Sequence, residues 1–274
     1  MTYLVHGATG AQGGPVAELL KANGHDVRPL TRALASLDDA AALTSAYAGV
    51  DAAFVHLPIT PDPAAPARWA EAIGTAALAA GVRRVVISTS GGVPEAPAQA
   101  DRMAMLHGLA ARLRAGGARV TVLAPRFFRE NLLLPPIQER LRAESVLAYP
   151  IRADQVIAWS SHLDVAEAAV AALTGADAPE LVHLGQPLTG PELAEAFTAH
   201  LGRPVRYEQL TPERFTELMT PLLGAGAAAG IAAAYAELAT LPGASFPADQ
   251  GGEALLGTGI RSTQAWLTEL GVPA

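Results

Sequence analysis

A glycine-rich segment near the amino terminus has the residue spacing that most directly suggests chemistry. Residues 7–14 read Gly-Ala-Thr-Gly-Ala-Gln-Gly-Gly and follow directly on a strand pattern at Thr2–His6. Gly7 permits a tight turn, Gly10 lets the backbone approach a pyrophosphate, and Gly13 allows close packing of helix on strand. A helix amino terminus carries free N–H groups and a partial positive charge. The segment therefore predicts a site for the diphosphate of a dinucleotide.

The residues between these glycines belong to the same predicted cofactor site. They are Thr9, Ala11 and Gln12. Pro15 follows at once, and proline is typical of the first turn of a helix. The alternative is a glycine-rich turn in an α/β protein that binds no nucleotide.

The end of the second predicted strand indicates which dinucleotide is bound. An acidic residue there would accept hydrogen bonds from a ribose 2′-hydroxyl and favour NAD. This chain has Thr31 and Arg32 instead. Arginine pairs with phosphate through several N–H groups, so the sequence favours NADP(H) with Arg32 on the 2′-phosphate. The alternative is an ordinary surface arginine.

Strand and helix patterns alternate through the first two-thirds of the chain, which is typical of a parallel α/β sheet. The predicted strands are Thr2–His6, Asp26–Leu30, Asp51–Leu57, Arg84–Ser88, Arg119–Leu123 and Leu181–Leu184. The predicted helices are Pro15–Asn23, Asp38–Ala48, Pro66–Ala80, Arg102–Ala115 and Leu163–Leu173. We predict an α/β fold with a Rossmann-type doubly wound parallel sheet.

One connection in this pattern is too short. Only Thr31 to Leu37 separate the second strand from the next helix. A crossover helix and another strand would need a dozen or more residues there. The sequence therefore predicts that one helix and one edge strand are missing beside the adenosine pocket.

The chain is predicted to form a dinucleotide-binding domain from residues 1–131 and 147–185. A small, mainly helical substrate or lid lobe is predicted from residues 132–146 and 186–274. The sequence signals there are helix caps at Thr189–Glu192 and Thr211–Glu213. The apolar run Leu222–Leu241 is interpreted as a helical segment covering a pocket, because it is mostly Ala and Gly and contains Glu237.

Composition excludes several other function classes. The formal net charge is −7 and the arginines are scattered, which argues against a nucleic-acid partner. The chain has no cysteine, so disulfides and thiolate chemistry are excluded, and a reducing cytoplasm is the expected location. No charged and apolar leader precedes the first strand, and no membrane association is expected. His162 and Asp164 lack a third ligand, so no metal site is predicted; Asp164 is expected to cap a helix starting at Val165.

Several further segments carry a resemblance to a known family. They are Gly49-Val50-Asp51, Ala80-Gly81-Val82-Arg83-Arg84-Val85-Val86, Val120-Thr121-Val122-Leu123-Ala124-Pro125 with Phe127-Phe128-Arg129-Glu130-Asn131, Asp164-Val165-Ala166 and Leu201-Gly202-Arg203-Pro204-Val205. Together with the glycine-rich turn they resemble the NmrA-like branch of the atypical short-chain dehydrogenase/reductases over nearly the whole chain. The resemblance implies a Rossmann sheet with a small carboxy-terminal lobe. It also implies either an NADPH-dependent quinone or azo-dye reductase or an NADP(H)-sensing regulator.

The catalytic pair of standard reductases is absent from this sequence. In that pair, Tyr-x-x-x-Lys, the lysine lowers the pKa of the tyrosine so that it can transfer a proton. Lys21 is the only lysine and lies in the first helix. By the resemblance, Arg102 stands at the tyrosine position and Leu106 at the lysine position.

Three other residues are candidate catalytic groups. His107 lies one residue from the expected lysine position and could donate a proton near neutral pH, although a solvent-facing histidine is the alternative. His56 ends the third strand, where ligands bind in such sheets. Ser90, with Thr89, ends the next strand, where related enzymes hold a substrate carbonyl with a hydroxyl. His56, Leu57, Thr89 and Ser90 are also predicted cofactor contacts.

The substrate side of the pocket is predicted from the resemblance. Pro58, Phe127, Phe128 and Asn131 are expected to line it, with core packing and helix capping as the alternatives for the last three.

We therefore expect an NADPH-dependent reductase of quinone-like or conjugated carbonyl substrates that works without a Tyr–Lys pair. A non-catalytic NADP(H) sensor and an enzyme of another reaction, such as an isomerisation, are the alternatives. A homodimer is left open.

Overall fold

The computed structural model describes residues 1–58, 60, 62–92, 97–176 and 179–273. Its contacts divide the chain into two compact units. The first comprises Met1–Pro125, His162–Leu184 and Pro247–Gly259; the second comprises Arg126–Ser161, Gly185–Phe246 and Ile260–Ala274.

The strands of the described residues are β1 (Thr2–His6), β2 (Asp26–Leu30), β3 (Ala52–Val55), β4 (Arg84–Ser88), β5 (Arg119–Pro125), β6 (Phe127–Phe128), β7 (Val146–Tyr149), β8 (Val156–Ser160), β9 (Leu181–Leu184), β10 (Gln186–Leu188), β11 (Arg206–Gln209) and β12 (Gly243–Ala244). The α-helices are α1 (Gly13–Ala22), α2 (Ala40–Tyr47), α3 (Ala65–Ala79), α4 (Pro97–Ala115), α5 (Pro135–Glu144), α6 (His162–Thr174), α7 (Gly190–Leu201), α8 (Pro212–Leu223), α9 (Ala225–Leu238), α10 (Gly252–Leu256) and α11 (Thr263–Glu269). Short 3-10 helices span Arg129–Leu133 and Ala248–Gln250.

The first unit is built on a six-stranded sheet, as the alternating pattern predicted. Its order is β2-β1-β3-β4-β5-β9, and every neighbouring pair is parallel. The central strands are buried along nearly their whole length, which is why their sequences are continuous apolar runs. The prediction of a Rossmann-type parallel sheet is confirmed.

The connection after β2 is as short as the sequence indicated. Residues 31–39 contain no helix or strand, and β2 is the last strand on its side of the described sheet. Pro29 lies within β2 and has no N–H to offer a further strand, which is typical of a sheet edge. Ala35 is buried against the core of this unit, so the short connection covers part of its apolar surface.

The core of the first unit joins one face of the sheet to the helices that cross it. Fully buried members come from β1, β3, β4, α2, α3 and α4: Leu4, Leu43, Tyr47, Val55, Ile73, Ile87 and Leu106. Each helix buries residues spaced three or four apart, the period that places side chains on one helix face. This packing holds the carboxyl ends of the strands in place.

The second unit contains strands that the sequence analysis left unassigned. β8 pairs with β6, β10 and β12, and β7 pairs with β11. These strands have two to five residues each, too short for their alternation to stand out in sequence.

The unit boundaries differ from the predicted ones, and pairing of β6 with β8 explains why the segments around these two strands fall in the second unit. Residues 126–131 and 147–161 fall in the second unit, and residues 247–259 fall in the first. The role of the second unit as a substrate or lid lobe stays a prediction.

Three predicted helix bounds were wrong. Helix α4 begins at Pro97 and not at the predicted Arg102. The apolar run from Leu222 to Leu241 is not one helix, because Gly224 has φ 81° and separates α8 from α9. The helix expected to begin at Val165 begins at His162 instead, so Asp164 lies inside its first turn and is not the capping residue before it.

Within the described residues, no helix is long and apolar enough to cross a membrane. The described part of the chain also contains no cluster of three or more His, Asp or Glu side chains that could hold a metal ion.

Candidate functional site

The order of the sheet determines where a ligand can bind. The chain runs from β1 outward to β2 and then crosses back to β3 on the other side of β1. In such sheets the helices on either side of the crossing leave a crevice outside the carboxyl ends of the two inner strands. Gly7 directly follows β1 and His56 directly follows β3, so both lie at this crevice.

The glycines of the turn are required by close contacts. A Cβ on Gly13 would lie 2.2 Å from the His6 carbonyl oxygen and 2.5 Å from that of Gly7, well inside any real contact. Gly7 has φ 60°, a left-handed conformation that favours glycine, and a Cβ there would lie 2.6 Å from Nε2 of His56. The helix therefore packs directly on the strand end, as the glycine spacing predicted.

The turn and the start of α1 fit a diphosphate. Gln12 is the N-cap residue, but its side chain caps nothing, and the first turn contains no acidic residue. Thr9, Gly10 and Ala11 are exposed to solvent. The Gly14 N–H already donates to the Gly10 carbonyl oxygen at 2.9 Å. At a helix start without a side-chain cap, an anion can accept from the backbone N–H groups that are not bonded in this way. When bound there, a nicotinamide dinucleotide would supply a hydride to the site.

His56 is a neutral imidazole packed against this turn. Its Nε2 is buried and has no hydrogen-bond partner among the described residues. Burial lowers the pKa of His56 to about 4, and the Arg102 guanidinium lowers it further, against hydrogen bonds to the backbone of His6 and Leu57. At pH 7 the imidazole is therefore uncharged and can donate or accept one hydrogen bond at Nε2 according to its tautomer.

Two further histidines surround His56, and the sequence analysis did not single them out as its neighbours. His6 is fully buried with Nε2 2.7 Å from the Tyr47 hydroxyl, and burial lowers its pKa to about 3. Burial also lowers the pKa of His162 to about 4. The positive charge that His56 carries when it is protonated lowers the pKa of both His6 and His162. The three imidazoles therefore lie close enough to interact. They come from β1, the end of β3 and α6, a proximity that spacing along the chain could not reveal.

Ser88, Thr89 and Ser90 lie at the carboxyl end of β4. Thr89 is buried, and its N–H donates to the Leu123 carbonyl oxygen at 3.0 Å. The Ser90 hydroxyl oxygen is buried and has no partner among the described residues. Ser90 also has φ 63°, which is unusual for a residue other than glycine. Ser88, which the sequence analysis did not single out, connects this strand end to the glycine-rich turn through Gln12.

The side chains predicted to contact the adenosine end lie at the carboxyl end of β2. Arg32 is exposed and makes no hydrogen bond or ion pair with the described residues; Thr31 is half-buried.

Leu57 is buried next to His56, and its carbonyl oxygen accepts from Nη2 of Arg102 at 3.3 Å, while Pro58 is exposed.

The remaining candidates lie on other elements. His107 is exposed on α4, next to the fully buried Leu106. Phe127, Phe128 and Asn131 belong to the second unit. The Phe127 ring packs on Trp159 at 5.6 Å between ring centroids, and Phe128 is buried.

The Asn131 side chain hydrogen-bonds to the Tyr149 hydroxyl, which is itself fully buried. The packing of Phe127 and Phe128 and this hydrogen bond give all three residues structural roles. Their place in a substrate pocket, together with that of Pro58, stays a prediction.

Comparison with known proteins identifies the family. The model of the NmrA-like family matches residues 1–242. An NAD(P)H azoreductase from Xenophilus azovorans is 33% identical over 260 residues, covering 87% of this chain and 86% of that protein.

Among solved structures, an NADPH-dependent quinone oxidoreductase from Escherichia coli in complex with NADPH superposes with a TM-score of 0.75 at 23% identity, covering 98% of this chain and 99% of that one. A Citrobacter triphenylmethane reductase in complex with NADP(H) superposes at 0.76 with 18% identity, covering 98% and 99%. A nucleoside-diphosphate-sugar epimerase from Staphylococcus aureus reaches the same score at 19% identity, covering 97% and 99%, so these structures share the fold and not one activity. The family match and the azoreductase place this chain in the NmrA-like family.

Proposed function

We propose that this protein is an NADPH-dependent reductase that delivers a hydride to a quinone-like or conjugated carbonyl acceptor. The observation that carries the proposal is the uncapped start of α1 at the crossing point of the sheet, with Gly7, Gly10 and Gly13 packed as a diphosphate site requires. The azoreductase relative supports a redox activity with a nicotinamide dinucleotide.

Arg32 supports the choice of NADPH over NADH. Its guanidinium is exposed at the end of β2 and is engaged by no other described side chain, so no ion pair has to break before it binds phosphate. Neither residue 31 nor residue 32 is acidic, so neither offers a carboxylate that could accept a hydrogen bond from a ribose 2′-hydroxyl. A charge-assisted hydrogen bond to phosphate contributes about 1.5–3 kcal/mol, which corresponds to a preference of about 10- to 100-fold.

The groups at the strand ends are suited to hold an acceptor. A Ser90 hydroxyl without a partner can donate to an acceptor oxygen, and neutral His56 adds no charge that would need a counterion. Reduction of a quinone consumes one hydride and one proton, and water can supply the proton because the hydroquinone anion left by hydride transfer is readily protonated. Orientation is then the main task of the protein, and no Tyr–Lys pair is needed.

The experiment is a calorimetric titration of the protein with NADPH, NADP⁺, NADH and NAD⁺. Wild type should prefer NADPH over NADH, and Arg32→Ala should lose about 10- to 100-fold in NADPH affinity while its NADH affinity stays unchanged. Arg142→Ala is the matched control, because Arg142 is also exposed and without an ion pair among the described residues but lies on α5. Equal weakening of NADPH and NADH by Arg32→Ala would contradict the phosphate contact, and no binding of any dinucleotide would contradict the site.

A non-catalytic NADP(H) sensor is the second candidate, favoured by Lys21 being the only lysine of the chain. The test is the absorbance of NADPH after mixing with 1,4-benzoquinone. Consumption of NADPH that depends on protein concentration supports the reductase. Tight binding without consumption, with different affinities for NADPH and NADP⁺, supports the sensor.

A further inference from the structure

The end of β4 holds a serine in a strained conformation. Ser90 has φ 63°, and the next two residues, Gly91 and Gly92, also have positive φ at 83° and 109°. Glycines adopt such angles freely, but in a serine this conformation is unfavourable because the Cβ comes too close to the backbone. Residues held in such conformations occur where the surrounding structure imposes them, most often at functional sites.

The hydroxyl of Ser90 adds a second unfavourable feature. Its oxygen is buried and has no hydrogen-bond partner among the described residues. A buried hydroxyl without a partner is destabilising unless a ligand or a water satisfies it. A ligand oxygen would satisfy it.

The strained conformation is held by Ser88, two residues earlier. The Ser88 side chain is fully buried, and its hydroxyl oxygen accepts from the Ser90 N–H at 3.2 Å. The same hydroxyl donates to Oε1 of Gln12 at 3.1 Å. Ser88 can make both bonds at once because a hydroxyl has one donor and two acceptor positions.

Gln12 links this arrangement to the glycine-rich turn. It is the residue immediately before α1, where a side chain would ordinarily cap the helix, yet its carboxamide oxygen accepts from Ser88 instead. The Gln12–Ser88–Ser90 chain thus connects the predicted diphosphate site through two hydrogen bonds with the backbone N–H of Ser90, the residue that carries the unpartnered hydroxyl.

We infer that Ser88 and Gln12 are positioning residues, which fix the Ser90 hydroxyl relative to the glycine-rich turn so that it meets the oxygen of the hydride acceptor. The inference rests on the proposed reductase function. It assigns Ser88 and Gln12 no contact with the acceptor: they act through Ser90.

The first test is independent of activity and follows amide hydrogen exchange at Ser90. Exchange should accelerate in Ser88→Ala, which removes the acceptor of the Ser90 N–H, and less in Gln12→Met, which frees the Ser88 hydroxyl. Thr121→Val is the matched control: Thr121 is buried on the neighbouring strand β5, and its hydroxyl has no partner among the described residues. Unchanged exchange at Ser90 in Ser88→Ala would overturn the inference.

The second test separates kcat from binding, with NADPH and 1,4-benzoquinone as substrates. Ser88→Ala should lower kcat about tenfold, the effect of losing one hydrogen bond of ordinary strength, and leave the NADPH dissociation constant and the unfolding temperature close to wild type. Thr121→Val should leave kcat unchanged. In the double variant with Gln12→Met, kcat should fall no further than in Ser88→Ala, because the two residues act in one chain.

The outcomes distinguish this inference from the proposed function. A wild-type protein that binds no NADPH, or consumes none with benzoquinone, contradicts the proposed function itself. An active wild type with an equally active Ser88→Ala variant overturns only the positioning role. A Ser88→Ala variant that loses NADPH affinity and stability together with kcat shows that Ser88 is merely structural, and this also overturns it.

Discussion

Two helices of this protein begin in opposite ways, although both have a proline in the first turn. At α7 the Thr189 hydroxyl accepts from the Glu192 N–H at 3.4 Å, and the Glu192 carboxylate accepts from the Thr189 N–H at 2.7 Å. At α1 no side chain caps the first turn. The start of α7 is capped by its own side chains, whereas the start of α1 has no side-chain cap and, among the described residues, only its Gly14 N–H is seen to bond locally, to the Gly10 carbonyl oxygen at 2.9 Å.

An uncapped helix start is not sufficient to define a site. α3 and α5 also lack a side-chain cap. What distinguishes α1 is the close approach of Gly13 to the backbone of β1, together with its place at the crossing point of the sheet. The comparison shows that α7 is capped by its own side chains and α1 is not; we expect α1 to use its start for binding.

The largest effect on stability and on NADPH affinity is expected from adding a side chain at Gly13. In Gly13→Ala the new Cβ meets two backbone oxygens that cannot move aside, so the free energy of unfolding should fall by roughly 1–3 kcal/mol. NADPH affinity should fall by about 10- to 100-fold as the turn distorts. Calorimetric titration and urea unfolding measure the two effects.

Gly14→Ala is the matched control for that substitution. A Cβ on Gly14 would lie 3.7 Å from the Ala8 oxygen, an ordinary contact. Because alanine favours a helix over glycine, the variant should be as stable as wild type or more stable by up to about 1 kcal/mol. Similar losses in the two variants would show that the packing at Gly13 is not special.

As the pH falls, the buried histidines near the glycine-rich turn should lose their contribution to the free energy of unfolding before the α7 cap does. His6, His56 and His162 have pKa values of about 3, 4 and 4 in the folded protein against 6.5 for an ordinary histidine. Between pH 6.5 and 4 the unfolded chain binds protons that the folded one does not, so stability falls with falling pH, by up to about 1.4 kcal/mol per pH unit for each histidine.

The Glu192 cap responds in a lower range of pH. Hydrogen bonds from Thr189 lower the pKa of Glu192 below its ordinary 4.5, so its contribution is present above that pH and is lost only as the pH falls below it. Urea unfolding at a series of pH values should therefore show a decline that starts near pH 6.5. His162→Gln should make it shallower. A flat profile down to pH 4.5 would contradict the buried neutral histidines.

A negative charge at the uncapped helix start should oppose the ligand. Ala11 is exposed in the glycine-rich turn, and Ala11→Asp should lower NADPH affinity about tenfold, since two like charges a few ångströms apart at a surface repel by roughly 1–3 kcal/mol. Ala11→Asn has the same shape without the charge and should bind within about twofold of wild type. Titration at low and high salt tests this further, because screening should narrow the difference between the two variants.

The smallest effect is expected at α7. Thr189→Ala removes the capping hydroxyl and should cost about 1 kcal/mol of stability. NADPH affinity should not change, because the cap satisfies only the N–H groups of its own helix. A loss of NADPH affinity in this variant would contradict the division of roles between the two helix starts.

Much of the first unit could be predicted from sequence because its signals are local. β1, β2, β4 and β9 lie at the residues predicted for them, and the short connection after β2 was visible in its length alone. The glycine spacing predicted a packing contact that the Gly13 geometry bears out. The break at Gly224 was missed because glycine is tolerated inside Ala-rich helices, and only the backbone shows that this one has φ 81°.

Sequence alone determined the family, the parallel α/β order, the dinucleotide-type turn and the absence of a Tyr-x-x-x-Lys pair, because each depends on residue type and on spacing within one element and its neighbours. Tertiary structure alone decided that His6, His56 and His162 share one environment and that Ser88 joins Gln12 to Ser90. These residues are far apart along the chain. They meet because parallel strands bring their carboxyl ends to one edge of the sheet, and burial there sets their charge and hydrogen bonding.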